Sequence, residues 1–402
     1  MTGEGSSARM RLGPYQLLRP LARGGMADIY LATREGCPIQ RQVALKVLDP
    51  MRAPDAETRA MFLDEARLLA LLGHHNIAAV LDVDVAEDHL YLAMEYVDGV
   101  DLRNLLSACM RAGQRALELD AAVAIVMAAA AGLDHAHRRC GPDGQPLELV
   151  HRDVSLSNIM AGHDGAVKVV DFGIASTTIA TVRTCPGTVR GKASYMSPEQ
   201  CLGERVDRRT DVFALGVVLY ELTCGIRCFA GKSDFDRMLA VVRGEYVRPS
   251  HVVPGFPIEL EQVIERALAI DVNQRFATAA ELAQALEDVA RACGWALGAT
   301  PIVRVMQERF SMPQPPPPAD TDAIEVPNEL ILEIADVATV RTPPVRFARG
   351  SQVDMLFQGL DEELLTRGRR KLRPRPPTAP VFAGRGDVML PQLPVRVDTD
   401  GD

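Results

Sequence analysis

A chain of 402 residues, 47% hydrophobic and 24% charged, has a globular composition and room for one large two-lobed domain or two ordinary ones. Its net charge of −9 argues against nucleic acid as the main partner, because phosphate binding needs a basic surface. Eight cysteines without framework spacing predict reduced thiols in a cytoplasm rather than a disulfide or zinc scaffold, and the polar start from Met1 to Arg11 offers no apolar core of a signal peptide.

In chain order, the first 14 residues predict a disordered N-terminus, and Tyr15 to about Tyr96 predicts short strands with one helix. Strand-like runs surround Tyr15–Leu18, Ile29–Ala32, Val43–Val47 and Leu90–Met94. Between them, Ala56 to Leu72 sets Phe62, Ala66, Leu69 and Leu72 at the three- and four-residue spacing of a helix. From Leu102 to about Ala292 the pattern becomes helical, with periodic segments at 120–138, 211–223, 257–269 and 278–292 between Gly-, Pro- and Asp-rich loops. The apolar runs Ala121–Leu133 and Val212–Tyr220 fall short of the ~20 residues that a membrane span needs. Both predict buried helices, and the chain reads as soluble, with no membrane span. The last 102 residues hold 15 of the 27 prolines, which predicts a mostly disordered tail. Within it, Arg367–Arg375 carries six basic residues in nine, either a solvated run or a docking stretch for an acidic protein partner.

Four motifs carry chemistry. Leu21-Ala22-Arg23-Gly24-Gly25-Met26-Ala27-Asp28-Ile29 forms a turn between strands, where glycines let backbone amides approach phosphate oxygens; a Gly-Gly turn is equally a common hairpin device. Val43-Ala44-Leu45-Lys46 ends an apolar strand on an ammonium, either a solvated strand end or a phosphate contact steadied by Glu65 on the following helix. His151-Arg152-Asp153-Val154-Ser155-Leu156-Ser157-Asn158 sets an Asp and an Asn five residues apart, fit for proton acceptance and metal binding. Asp171-Phe172-Gly173 places a carboxylate after the strand Val167–Val170, fit for a Mg²⁺ ligand; either Asp alone is as readily a turn cap.

Taken together, in this order, the motifs resemble the protein-kinase family in its bacterial eukaryotic-like serine/threonine branch, over about Tyr15 to Ala292. Ser197-Pro198-Glu199, Asp211–Gly216 and Asp271-Val272-Asn273-Gln274-Arg275 match further family marks. The resemblance implies an α+β, two-lobed kinase fold: a β-rich lobe at 15–97, a helical lobe at 98–292, and a Pro-rich tail at 293–402. It implies ATP and Mg²⁺ as cofactors and Ser/Thr residues of proteins as substrates. By the same resemblance, Lys46 contacts the α- and β-phosphates and Glu65 orients it. Asn158 and Asp171 hold Mg²⁺, and Asp153 accepts the substrate proton. Leu21, Gly24 and Gly25 cover the nucleotide, Ile29, Ala44 and Met160 sandwich adenine, Met94 gates it, and the Glu95–Val97 backbone bonds its edge. Glu199 and Arg275 form a structural ion pair, and Asp211 supports the catalytic loop.

Three departures stand out. Ala22 and Ala27 replace two glycines of the phosphate loop, Ser155 replaces the usual lysine after the catalytic Asp, and Gly191-Lys192 replaces Gly-Thr. The last two fit an exchange, in which Lys192 returns the lost cation from across the site and joins the catalytic set. If they are instead disabling, the alternative is a pseudokinase that binds nucleotide or partners. A small-molecule phosphotransferase is disfavoured by the long segment from Asp171 to Glu199. Tyrosine specificity is disfavoured because Ala-Ala-Arg does not follow Asp153. Arg152, just before the catalytic Asp, predicts activation by phosphorylation between Ser176 and Thr188, preferably at Thr184 or Thr188.

Overall fold

The computed structural model describes residues 10–24, 27–36, 38, 41–49, 56–141, 143–172 and 193–310, side chains at 56–58, 61 and 65 apart. All lie in the first of the two units into which the chain divides, Met1–Pro344 and Val345–Asp402.

The N-terminal part is a six-stranded antiparallel sheet with one helix. Its strands are β1 (Arg11–Leu12), β2 (Tyr15–Arg23), β3 (Ala27–Arg34), β4 (Gln42–Leu48), β5 (Val80–Ala86) and β6 (His89–Glu95), in the order β1-β2-β3-β4-β6-β5. Alternation decides which faces are buried: Val43, Leu45 and Val47 of β4 turn toward Tyr15, Ala32, Tyr91 and Ala93 in one cluster. Helix α1 (Ala56–Ala70) closes the other side with Phe62, Ala66 and Leu69. Strand β5 was not among the sequence expectations. Its apolar residues Leu81, Val83 and Val85 stay exposed, and Asp82 turns inward to take a hydrogen bond from the Tyr15 hydroxyl. Burial and that carboxylate push the Tyr15 phenol up to about 12.

The C-terminal part is helical. Asp101 ends the short strand β7 (Gly99–Asp101) and caps α2 (Leu102–Arg111) by accepting from the Asn104 amide at 2.8 Å. Helices α3 (Leu119–His137) and α5 (Arg209–Cys224) form the core, buried along nearly their whole length and packed on α8 (Ile258–Ala267) and α9 (Ala279–Cys293). At 19 residues α3 is long and apolar enough to cross a membrane, but most of it lies inside the protein, as a core helix does. Strand β7 pairs with β8 (Ile159–Gly162), and β8 with β9 (Val167–Val169), the last two lying between α3 and α5 in the chain. The short helix α4 (Pro198–Cys201) packs against α6 (Asp234–Arg243), and α7 (Pro249–Val252) against α5. Cys224 and Cys228 are buried free thiols, and burial pushes Cys224 up to about 12.

Beyond residue 292, where the sequence reading begins the tail, the structure adds α10 (Ala299–Phe310). Ile302, Val305 and Met306 are buried against α3, α2 and β8, and Arg304 grips Asp120 at 2.7 and 2.9 Å. Gly165, in a left-handed turn (φ +83°), admits the helix: a Cβ there would stand 2.7 Å from the Cβ of Ala299. Burying three such side chains contributes about 1.5–3 kcal/mol each, partly offset by the entropy of ordering the helix. Ending the chain at Leu297 should therefore lower Tm by roughly 5–10 °C, whereas ending it at Ser311 should not. Equal melting of the two shortened chains would show that α10 does not support the fold. Residues 311–402, including the basic run Arg367–Arg375, lie outside the described residues.

Candidate active site

The loop between α3 and β8 is held from below. Asp211, fully buried near the start of α5, accepts from the amides of His151 (2.8 Å) and Arg152 (2.9 Å) and lies 2.7 Å from His137 Nε2. Burial would raise this carboxyl, but the hydrogen bond and charge of His137, with further help from His151, outweigh it and hold the group below its ordinary value. His151 Nδ1 accepts from the Asp153 amide at 3.2 Å, which leaves Nε2 to donate to the Val170 carbonyl at 3.1 Å. One imidazole thus joins the loop to the strand end before Asp171, and it packs against Phe172 with the rings tilted by 37° and centroids 4.5 Å apart.

Above this support the polar side chains converge. Asn158 Nδ2 donates to both the backbone carbonyl (2.8 Å) and the carboxylate (3.0 Å) of Asp153. The Val170 amide donates to the Asn158 carbonyl at 3.0 Å, so Asn158 and the Asp171 segment are fixed to each other. Lys46, paired in the sheet with Ile29 and Leu92, reaches down to Asp171 Oδ1 at 3.0 Å. Asp171 and Arg152 both hold left-handed backbone, with φ of 52° and 65°. Such strain in non-glycine residues persists where surrounding contacts over-determine it, as this loop's do.

The residues expected to surround a nucleotide occupy the strands facing this cluster. Leu21 sits at an irregularity of β2, Ala44 pairs with Met94 across β4 and β6, and Met160 pairs with Asp101 and Lys168 in the small sheet. Met94 is buried, Ile29, Ala44 and Met160 are half-buried, and Val97 follows β6. The Glu95 side chain is ion-paired with Lys168 at 2.8 Å and accepts from the Ala79 amide at 3.2 Å. Gly24 closes its turn by donating to the Ala27 carbonyl at 2.9 Å; a Cβ there would meet that oxygen at 2.7 Å, so the turn requires glycine. Gly25, Lys192, Thr184 and Thr188 fall outside the described residues, as does the side chain of Glu65, which lies on α1.

This donor set suits Mg²⁺. The Asp153 contacts use the amide hydrogens of Asn158, which leaves its Oδ1 as an acceptor, and Asp171 adds a carboxylate. Among the described residues no cluster of three or more His, Cys, Asp or Glu is arranged to hold a metal alone. Mg²⁺ is bound in that sparse way, by one or two protein oxygens with phosphates and water completing its shell.

Sequence reasoning missed several supports. Gln200, in the capping box that Ser197 forms at the start of α4, donates from Nε2 to the Arg152 carbonyl at 2.9 Å. Glu199 on the same turn, by contrast, makes the ion pair that the resemblance implied, accepting from both Arg275 amino groups, each at 2.8 Å. Asn76 Nδ2 donates to the Val167 carbonyl at 3.0 Å and anchors β9. The Ser197-x-x-Gln200 spacing is a readable capping signal; the long-range partners of Gln200 and Asn76 have none.

Comparison with known proteins follows the same outline. A family model described as the protein kinase domain matches residues 15–286. The chain is 41% identical over 276 residues to tyrosine-protein kinase MasK of Myxococcus xanthus, covering 68% of this chain and 43% of MasK. It is 34% identical over 270 residues to serine/threonine-protein kinase PrkC of Bacillus subtilis, covering 67% and 39%. It thus spans about two fifths of the length of these relatives. The crystal structure of the Mycobacterium tuberculosis PknI kinase domain superposes with a TM-score of 0.55 at 30% identity, covering 71% of this chain and 99% of that one.

Proposed function

This chain belongs to the protein kinase family, and from that membership we propose that it transfers the γ-phosphate of ATP to serine and threonine hydroxyls of proteins. The observation that carries the reading is the run of contacts Lys46–Asp171 and Asn158–Asp153, which brings residues from three separate motifs into one cluster. In that cluster Asp153 would take the acceptor proton, and Lys46, steadied by Glu65, would hold the nonreacting phosphates. Asn158 and Asp171 would hold Mg²⁺, which supplies neutralising charge to the phosphate oxygens. Ser155 is buried and its hydroxyl has no hydrogen-bond partner among the described residues, which favours Lys192 as the source of the cation this position lacks. The buried Nε of Arg152 has no hydrogen-bond partner among the described residues either, in keeping with a phosphorylated Thr184 or Thr188 as its activating ligand. We place the catalytic domain at 15–292, braced by α10, in the cytoplasm, with the tail free to engage a partner.

The test is incubation of the full chain with labelled ATP and Mg²⁺, followed by phosphoamino-acid analysis. Label on Ser and Thr, absent from Asp153→Asn and strongly reduced in Lys192→Thr, is the expected result. Label on Tyr alone would favour the second reading, which the name of the 41% identical relative raises. No label, with nucleotide still bound, would mean a pseudokinase.

A further inference from the structure

A cavity of about 40 Å³ lies between α2, the catalytic loop and the end of α5, walled by Arg103, Leu106, Leu156, Tyr195, Glu221 and Arg227. That volume holds two or three water molecules or one small charged group. Leu156 is three residues beyond Asp153, and three residues of chain span at most ~11 Å. An extended peptide rises about 3.3 Å per residue, so a side chain within about three residues of the acceptor hydroxyl reaches this wall.

The charge of the cavity is set by which groups are already committed. Glu221 is buried and engaged on both oxygens, by the Tyr195 hydroxyl at 2.6 Å and the Cys228 amide at 3.3 Å. Burial raises its carboxyl above the ordinary value, against the opposing pull of the Tyr195 hydrogen bond and the charges of Arg227 and Arg103. Asp101, the other nearby acid, spends both oxygens on Asn104, at 2.8 and 2.7 Å. The two guanidinium groups are the opposite case. Arg103 makes no ion pair or side-chain hydrogen bond among the described residues, and Arg227 reaches only the Ser194 hydroxyl, at 3.4 Å. A guanidinium carries five donors in a fixed fork that matches a carboxylate or phosphate. Two of them line one small cavity with a single carboxylate, Glu221, whose oxygens are both hydrogen-bonded, so the wall is net positive and makes a site for an anion.

We propose that Arg103 and Arg227 form a subsite for an anionic side chain of the protein substrate, within three residues of the phosphorylated hydroxyl. The inference rests on the kinase reading above and adds the substrate class: acidic or already phosphorylated sequences. Arg103 and Arg227 are specificity residues in this scheme, and the chemistry at Asp153 does not pass through them.

The experiment is a positional scan with the full chain. Peptides carry one Ser or Thr acceptor, with Asp, phosphoserine, Lys or Ala placed in turn at each of the three positions on either side. At one position Asp or phosphoserine should raise kcat/KM at least tenfold over Ala, chiefly through KM; comparing those two arms tells carboxylate from phosphate. Arg103→Gln and Arg227→Gln should each cut that ratio at least threefold. Arg103→Glu should turn the preference toward Lys, a gain that an unfolded variant cannot give. Fluorescence anisotropy of labelled Asp and Ala peptides, without nucleotide, measures the same preference independently of turnover. If no peptide is phosphorylated but the Asp peptide still binds tighter through Arg103, the kinase reading fails and the subsite stands. A flat scan, a preference for Lys in the wild type, or a preference that survives the Arg103→Gln, Arg227→Gln double change overturns the subsite.

Discussion

Lys46→Met and Asp171→Asn should each lower kcat about 100- to 1,000-fold or more, with Tm moving by no more than a few degrees. The two side chains meet at 3.0 Å, but they are 18% and 35% exposed, and an ion pair so open to water contributes little to stability. Their weight lies in chemistry. Lys46 is rooted between Ile29 and Leu92 in the middle of a six-stranded sheet, so its ammonium is delivered to one point. Asp171 is held in left-handed backbone by the Val170 contacts to His151 and Asn158. Groups fixed in advance where charge develops lower a barrier more than they steady a fold. Steady-state turnover beside a thermal melt separates the two effects. Near-wild-type turnover in either variant would remove that residue from the mechanism. A large loss of Tm would instead make it a structural member.

How much of this was legible depended on whether a residue's partner was local. The strands around Ala44 and Met94 and the long helices α3, α5, α8 and α9 announce themselves through apolar spacing, because burial on one face imposes the period. Strand β5 escaped because its polarity is inverted: Leu81, Val83 and Val85 face outward while Asp82 is drawn in by Tyr15. Helix α10 escaped for another reason. Pro301 was counted toward the Pro-rich tail, yet it stands in the helix's first turn, where proline is tolerated because its missing N–H has no partner to lose. The site divides in the same way. The motif residues Lys46, Asp153, Asn158 and Asp171 were read from order and resemblance, and the structure brings them together. Glu65, the partner expected for Lys46, has its side chain outside the described residues; the contact of Lys46 with Asp171, 125 residues away in the chain, has no local signal. Contacts such as Gln200 to Arg152, or Arg103 and Arg227 around one cavity, depend on how helices cross, and no residue spacing encodes that.

The other large effect should come from Arg275→Ala, at about 3–5 kcal/mol of stability and a Tm lower by roughly 10 °C or more. Arg275 has a fully buried side chain and holds the carboxylate of Glu199 through two 2.8 Å bonds. It also donates to the carbonyls of Ala269 at 2.7 Å and Ile270 at 3.2 Å, and lies 4.9 Å from the Phe213 ring centroid. When the guanidinium is gone, Glu199 keeps the Thr210 hydrogen bond at 2.7 Å and one from its own backbone amide, neither of which carries a charge. The sign of the pH dependence follows. Burial would raise the Glu199 carboxyl, but Arg275 outweighs it and holds the group below its ordinary 4.5. Its stabilisation is therefore complete above about pH 4.5 and is lost as pH falls through the lower folded value. In the variant the buried carboxylate is unpaired, its pKa rises, and protonation relieves the cost. Wild type and Arg275→Ala should differ most near pH 7 and converge toward pH 4.5, and adding Glu199→Gln to the variant should recover part of the loss at pH 7. Activity should suffer as well, because Glu199 shares the α4 turn with Gln200, whose amide holds the Arg152 carbonyl one residue before Asp153. Denaturant melts at several pH values decide the matter. A loss below about 1 kcal/mol, or a gap that does not change with pH, would mean that the fold tolerates the unpaired carboxylate and that Glu199 is not held by Arg275 in the way its geometry indicates.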